Sequence, residues 1–228
     1  MNRKDTFINS TSARTVVVGD VHGCIDELRG LIEKISPSPD DRLIFVGDLI
    51  NKGPDSLGVL KYVQEMGAEV ILGNHELAFI EYMDGNYRET SGFREVKRQL
   101  GTEHTHWVDW MRNLPLYIET KDALIVHAGI PPGKHPSQVS PEILTNIRTW
   151  DGYGEDLQNP DNPAWYELHE SEKLVVFGHW ARQGLLVRVG VIGLDSGCVY
   201  GKRLSAVSLP DRTIFQIDAK EVYEKPGS

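Results

Sequence analysis

The chain has 228 residues, 40% hydrophobic and 25% charged, the balance of a soluble globular protein long enough for one large domain. Its 24 Lys and Arg against 33 Asp and Glu give a formal net charge of −9, which excludes a broad basic footprint for nucleic acid and requires any polyanionic ligand to be held locally. Two cysteines, Cys24 and Cys198, are too few for a disulfide framework and read as small buried hydrophobes in a reducing, cytoplasmic setting; no stretch approaches the roughly 18 apolar residues of a membrane span.

Residues 1–14 are polar, lack the apolar core of a signal peptide, and are expected to form a flexible leader before a single catalytic domain, 15–228. Short β-branched or aromatic runs at 15–18, 43–46, 69–72, 123–126 and 173–177 predict buried strands, too short for helices and flanked by glycine. Between the first three, Ile25, Leu28, Leu31, Ile32 and Ile35 predict a helix stopped by Pro37 and Pro39. A second helix runs from Ser56 to Gly67, and a third from Glu76 toward Met83. A β-α-β-α-β opening of this kind implies mostly parallel strands with helices packed on them. Residues 92–113 read as polar helix docked by Trp107 and Trp110, and 150–165 as a long loop rich in Gly, Asp, Asn and Pro. Residues 187–194, 204–209 and 213–217 predict three further strands, expected as an antiparallel meander on a second sheet.

Each of the first five strands stops on a polar cluster: Gly19-Asp20-Val21-His22-Gly23, Gly47-Asp48, Gly73-Asn74-His75-Glu76, His127-Ala128-Gly129 and Gly178-His179. Ligands bind at the carboxyl ends of such strands, where loops converge. A mixed set of carboxylates, an amide oxygen and imidazoles suits Mn, Fe or Zn better than Ca or Mg. Asp20 and His22, two residues apart, can reach one ion; Asp48 can bridge to a second, which Asn74, His127 and His179 complete. Two ions about 3.5–4 Å apart activate a shared water and stabilise both the attacking and the leaving oxygen, so the pattern points to hydrolysis at phosphorus. Singly, a Gly-Asp after a strand is usually a turn, and Asn-His-Glu a helix cap with a solvated first turn. It is their joint occurrence, each after a strand, that favours metal. His104, His106, His135 and His169 lie in polar contexts and read as surface residues.

These motifs, with Gly47-Asp48-Leu49-Ile50-Asn51-Lys52-Gly53, resemble the phosphoprotein-phosphatase type of calcineurin-like metallophosphoesterases, a likeness running from Val16 to about Leu209. The resemblance implies a four-layer α/β/β/α sandwich with two mixed sheets and two divalent metal ions, manganese first with iron or zinc as alternatives. It also implies Asp20, His22, Asp48, Asn74, His127 and His179 as ligands, His75 as general acid, and Lys52 and Arg148 as phosphate clamps. Within the family, Gly53-Pro54-Asp55-Ser56-Leu57, Gly178-His179-Trp180-Ala181 and Gly193-Leu194-Asp195-Ser196-Gly197-Cys198 look most like symmetrical diadenosine tetraphosphatases and ApaH-like phosphatases. The chain is short for a full symmetrical tetraphosphatase, which implies a trimmed substrate-capping region.

Protein phosphatases of this family typically carry Asp-Arg where this chain has Asn51-Lys52. An Asp beside the catalytic histidine raises its pKa, whereas a neutral Asn is expected to accept the same hydrogen bond without supplying charge. A weaker proton donor suits a leaving phosphate, whose second pKa is about 6, better than a Ser or Thr alkoxide. The first expectation is therefore a hydrolase of phosphoanhydrides such as dinucleoside polyphosphates, acting on a small nucleotide with no extended nucleic acid and no membrane as partner. A Ser/Thr or Tyr phosphoprotein phosphatase on the same metal centre is the alternative. A non-enzymatic scaffold is disfavoured, having no reason to retain six ligands with His75.

Overall fold

The computed structural model describes residues 13–170 and 173–225. Most of the expected leader therefore lies outside the described residues, but Arg14 is held in place, its guanidinium 2.6 Å from the Asp41 carboxylate. The opening has the predicted β-α-β-α-β order, with β1 (Thr15–Val18), α1 (Ile25–Ile35), β2 (Arg42–Phe45), α2 (Ser56–Glu65), β3 (Glu69–Val70, shorter than the expected 69–72) and α3 (Asn74–Met83, starting before the expected Glu76), and β1, β2 and β3 are parallel. The helix ends have local causes. Ser36 closes α1 in the left-handed conformation, its N–H donating to Ile32 O, and the Asp55 carboxylate caps α2 by accepting from Gly58 N at 2.7 Å. The polar middle forms α4 (Ser91–Leu100) and α5 (His104–Arg112), with Trp107 fully buried and Trp110 packed partly buried on the same core.

The second half holds β4 (Tyr117–Glu119), β5 (Ala123–Val126), α6 (Pro141–Asn146), β6 (Leu174–Phe177), β7 (Leu186–Arg188), β8 (Val191–Gly193), β9 (Arg203–Leu209) and β10 (Thr213–Asp218). The strands order as two five-stranded sheets, β10-β9-β1-β2-β3 and β4-β5-β6-β8-β7. Both are mixed. Alternation along β1 explains the layering: Val16 and Val18 face α1 to α5, while Val17 meets Ile44, Ile125, Val176 and Ile192 between the sheets. The outer face of the second sheet is covered by Ile147, Trp165 and neighbours from α6 and the loop after it, so the fourth layer is mostly loop. Among the described residues no helix is long and apolar enough to cross a membrane.

The expected meander on the second sheet is corrected. The stretch 187–194 breaks at Val189, 99% exposed, and Gly190, φ 85°, into the hairpin β7–β8 on the second sheet. The pair β9–β10 joins the first sheet instead, β9 lying antiparallel to β1 with Thr15 opposite Leu209. The reason is burial: Leu204 and Ala206 face the helical core and Val207 and Leu209 the core between the sheets, so β9 needs an interior place, which β1 offers on its open side.

Candidate metal centre

The six expected ligands and His75 come together at the carboxyl ends of β1, β2, β3, β5 and β6, across the edge shared by the two sheets. The chain turns sharply there. Among the described residues seven non-glycine positions have positive φ, and five of them belong to this site: His22, Asp48, Asn51, Lys52 and His179. Left-handed backbone costs an L-residue about 1–2 kcal/mol, strain that folded proteins concentrate at functional sites. Glycines allow the close approach: a Cβ on Gly178 would stand 2.0 Å from Asp20 Oδ1, and one on Gly73 2.4 Å from Asp48 Oδ1.

Asp48 is the centre of the arrangement. Its Oδ2 lies 3.5 Å from His22 Nε2, and its Oδ1 lies 3.5 Å from His127 Nε2. Its two oxygens thus face two different groups of donors, one formed with His22 and His75 and the other with His127 and His179. Asn74 Oδ1 joins the second group, 2.9 Å from both His127 Nε2 and His179 Nδ1. Asp20 is held beside them by His179 N, at 3.1 and 3.0 Å from its two oxygens.

Hydrogen bonds behind the imidazoles fix which nitrogen carries a lone pair. His22 Nδ1 donates to Ile50 O at 3.1 Å and His127 Nδ1 to Val46 O at 2.7 Å, leaving both Nε2 atoms as acceptors aimed inward. His127 Nε2 and Asn74 Oδ1 then confront each other as two acceptors at 2.9 Å, an arrangement a cation between them satisfies. The charges agree. Burial pushes Asp20 well above the usual carboxylate range and Asp48 up to about 6, and it holds His22, His127 and His179 below the usual histidine value. Buried carboxylates beside neutral imidazoles are the donor set of a divalent transition metal.

Two buried carboxylates near the centre were not singled out from the sequence. Glu76, fully buried, accepts from four backbone N–H groups: Asp48 at 2.8 Å, Leu49 at 2.8 Å, Ile50 at 3.2 Å and Gly73 at 3.1 Å. It is the clamp that holds Asp48 in its turn, and not part of a solvated first turn. Its position was legible, since Glu76, Phe79 and Ile80 share the buried face of α3 at helical spacing. Asp195 follows β8 by two residues, repeating the strand-then-acid grammar of the other clusters; burial raises it to about 6 and it interacts with Asp20 and Asp48.

Asn51 Nδ2 lies 2.9 Å from His75 Nδ1, while Asn51 Oδ1 accepts from Lys52 N at 2.9 Å. Because the backbone N–H is an obligate donor, it fixes the amide, and Asn51 donates to His75. The expectation that Asn51 accepts this bond is corrected. His75 therefore carries its proton on Nε2, 4.0 Å from Asp48 Oδ2, and burial together with Lys52 lowers its pKa. Lys52 Nζ stands 3.3 Å from His22 Nε2 and 5.4 Å from the Tyr200 ring centre. Arg148 is partly buried, bound through Nη1 to Gln158 Oε1 at 3.2 Å; its Nε finds no partner among the described residues, and its charge acts on Asp48 and Asp195. The four histidines set aside are exposed or half-buried and outside the cluster; His169 rests on Trp165, ring centres 5.6 Å apart.

Two packed mixed sheets with a His, Asp and Asn cluster on their shared edge define a metal-dependent phosphoesterase, and the chain belongs to the calcineurin-like phosphoesterase family, matched over residues 13–214. It is a hydrolase. Among its relatives is the symmetrical bis(5'-nucleosyl)-tetraphosphatase of Janthinobacterium sp. (strain Marseille), 30% identical over 93% of this chain and 98% of that one. Its counterpart in Dechloromonas aromatica (strain RCB) is 29% identical over the same shares. The first alignment spans 271 positions against 228 residues here, so the relative carries segments this chain lacks. A crystal structure of a candidate diadenosine tetraphosphatase superposes with a TM-score of 0.82 at 30% identity, covering 92% of this chain and 95% of that one. A yeast protein serine/threonine phosphatase, at 19% identity and a TM-score of 0.57, shares the fold.

Proposed function

We propose that this chain is a cytoplasmic, dinuclear-metal hydrolase that splits dinucleoside polyphosphates symmetrically, diadenosine tetraphosphate to two ADP. The observation that carries the reading is Asp48, whose two oxygens face separate histidine-containing groups, the arrangement a bridging carboxylate needs. Asp20, His22 and Asp48 would hold one ion, and Asp48, Asn74, His127 and His179 the other, manganese being the first choice for mixed oxygen and nitrogen donors. Two such ions supply Lewis acidity at the phosphate and a water of lowered pKa.

The chain's own residues do the rest. His75 presents its Nε2–H as a hydrogen-bond donor to the leaving oxygen, kept in that tautomer by the Asn51 amide. Lys52, steadied over Tyr200, and Arg148, with an unpaired Nε–H, bind the flanking phosphates. A neutral imidazole N–H donates a hydrogen bond without giving up its proton, which suffices for a nucleoside diphosphate that departs as the anion and is poorly matched to an alkoxide. That favours the anhydride over a phosphoprotein. The test is product analysis: the manganese-loaded protein acting on diadenosine tetraphosphate should release ADP alone. ATP plus AMP as main products, or kcat/KM higher for a phosphopeptide under the same conditions, overturns the proposal.

A further inference from the structure

A second group of metal-ligating side chains lies at the start of α1 and is not used by the hydrolytic centre. The Cys24 and Cys198 thiols and the Glu27 carboxylate present ligand atoms that all lie within 4.8 Å of one another. The three residues are 0, 2 and 1% exposed. Glu27 Oε1 is satisfied, accepting from Lys220 N and Tyr223 Oη, both at 2.8 Å. Its Oε2 is equally buried and has no hydrogen-bond partner among the described residues, the neighbouring thiols included. Buried polar atoms are almost always paired, and a bound ion is one of the few explanations for an exception. Two soft sulfurs with one carboxylate select a thiophilic d10 cation over manganese or magnesium.

We propose that Cys24, Cys198 and Glu27 form a third cation site, for a thiophilic divalent ion of the zinc type, separate from the hydrolytic centre. On binding, each thiol loses its proton, Cys24 giving up the hydrogen bond it donates to His22 O at 3.8 Å, and the two thiolates and Glu27 Oε2 become ligands. The role is structural. Cys24 follows the turn that carries Asp20 and His22, Cys198 follows the turn that carries Asp195, and Glu27 anchors the C-terminal segment, in which Tyr223 N and Glu224 N also donate to Val199 O. One ion would tie all three.

The test is zinc titration of the manganese-loaded full chain, read by zinc K-edge absorption. Sulfur reports this site alone, because no residue proposed for the hydrolytic centre is a cysteine. The expected result is one further equivalent of zinc with sulfur scatterers at about 2.3 Å. The signal should persist in Asp48→Asn, vanish in Cys198→Ala and need at least tenfold more zinc in Glu27→Gln. Zinc surrounded only by nitrogen and oxygen overturns the proposal. Should Cys198→Ala fail to fold, the wild-type spectrum still decides.

Discussion

At the scale of single residues, Asn51 and Asp48 make the most direct predictions. With its amide donating to His75 Nδ1, Asn51 disfavours a second proton on the ring; an Asp there would accept instead and favour the imidazolium. Asn51→Asp should raise kcat on a phosphoserine peptide by at most about tenfold, since one pKa unit is about 1.4 kcal/mol. It should change diadenosine tetraphosphate turnover much less. Equal changes on both substrates, at matched metal content, would remove Asn51 from any part in leaving-group choice. Asp48→Asn takes away the charge both donor groups share; metal content should fall and activity drop by about three orders of magnitude or more. Near-normal turnover with two bound metals would show that the ligand assignment is wrong.

At the scale of elements, the centre depends on how α3 meets the turn after β2. Glu76 reaches from the first turn of the helix into the turn and pairs four backbone N–H groups that would otherwise be buried without acceptors. Glu76→Gln replaces one acceptor oxygen by a donor amide facing those N–H groups. A buried unsatisfied group costs about 1–3 kcal/mol, so denaturant unfolding should show a loss of that size. Manganese affinity should fall with it, because Asp48 loses its fixed conformation. Unchanged metal affinity in a destabilised variant would reduce Glu76 to a fold-stabilising residue. A separate bond ties the strand ends that carry Asp20 and His179: the Asp20 carboxylate accepts from His179 N across 159 residues of sequence.

For the whole molecule, the charge balance of the centre sets a pH dependence. Without a cation, Asp48 and Asp195 are raised to about 6 and Glu76 to about 7, mainly by burial. A raised carboxyl contributes stability that is fully present below its unfolded value, near 4, and lost as pH rises through the folded one. The buried histidines act in the opposite sense: their folded values are lowered, so their contribution is present above about 6.5 and lost as pH falls. Metal removes both titrations by holding the carboxylates ionised and the imidazoles neutral. The Tm difference between manganese-loaded and EDTA-treated protein should therefore be small at pH 5, widen through pH 6 to 7 and level off above. A difference independent of pH would contradict the buried donor set.

The sequence by itself determined the parts of this protein that depend on a few neighbouring residues. Strand runs ending in glycine and helices with their stops are local patterns, and the structure keeps their order while shortening the 69–72 run to Glu69–Val70 and starting α3 at Asn74; the six expected donors and His75 stand at those strand ends. What only the tertiary structure decided depends on pairs far apart in the chain. The sheet that β9 joins follows from having apolar cores on both of its faces, and period-two alternation carries no information about which neighbour a strand takes. The direction of the Asn51–His75 bond is set by a backbone N–H on Lys52, which no residue type reveals. Glu76 belongs to α3 but acts on the turn after β2, and Glu27 meets Lys220 and Tyr223 across the whole chain. Hydrogen bonds and cation sites are made between atoms in space, so a sequence shows the donors while the fold decides which of them meet.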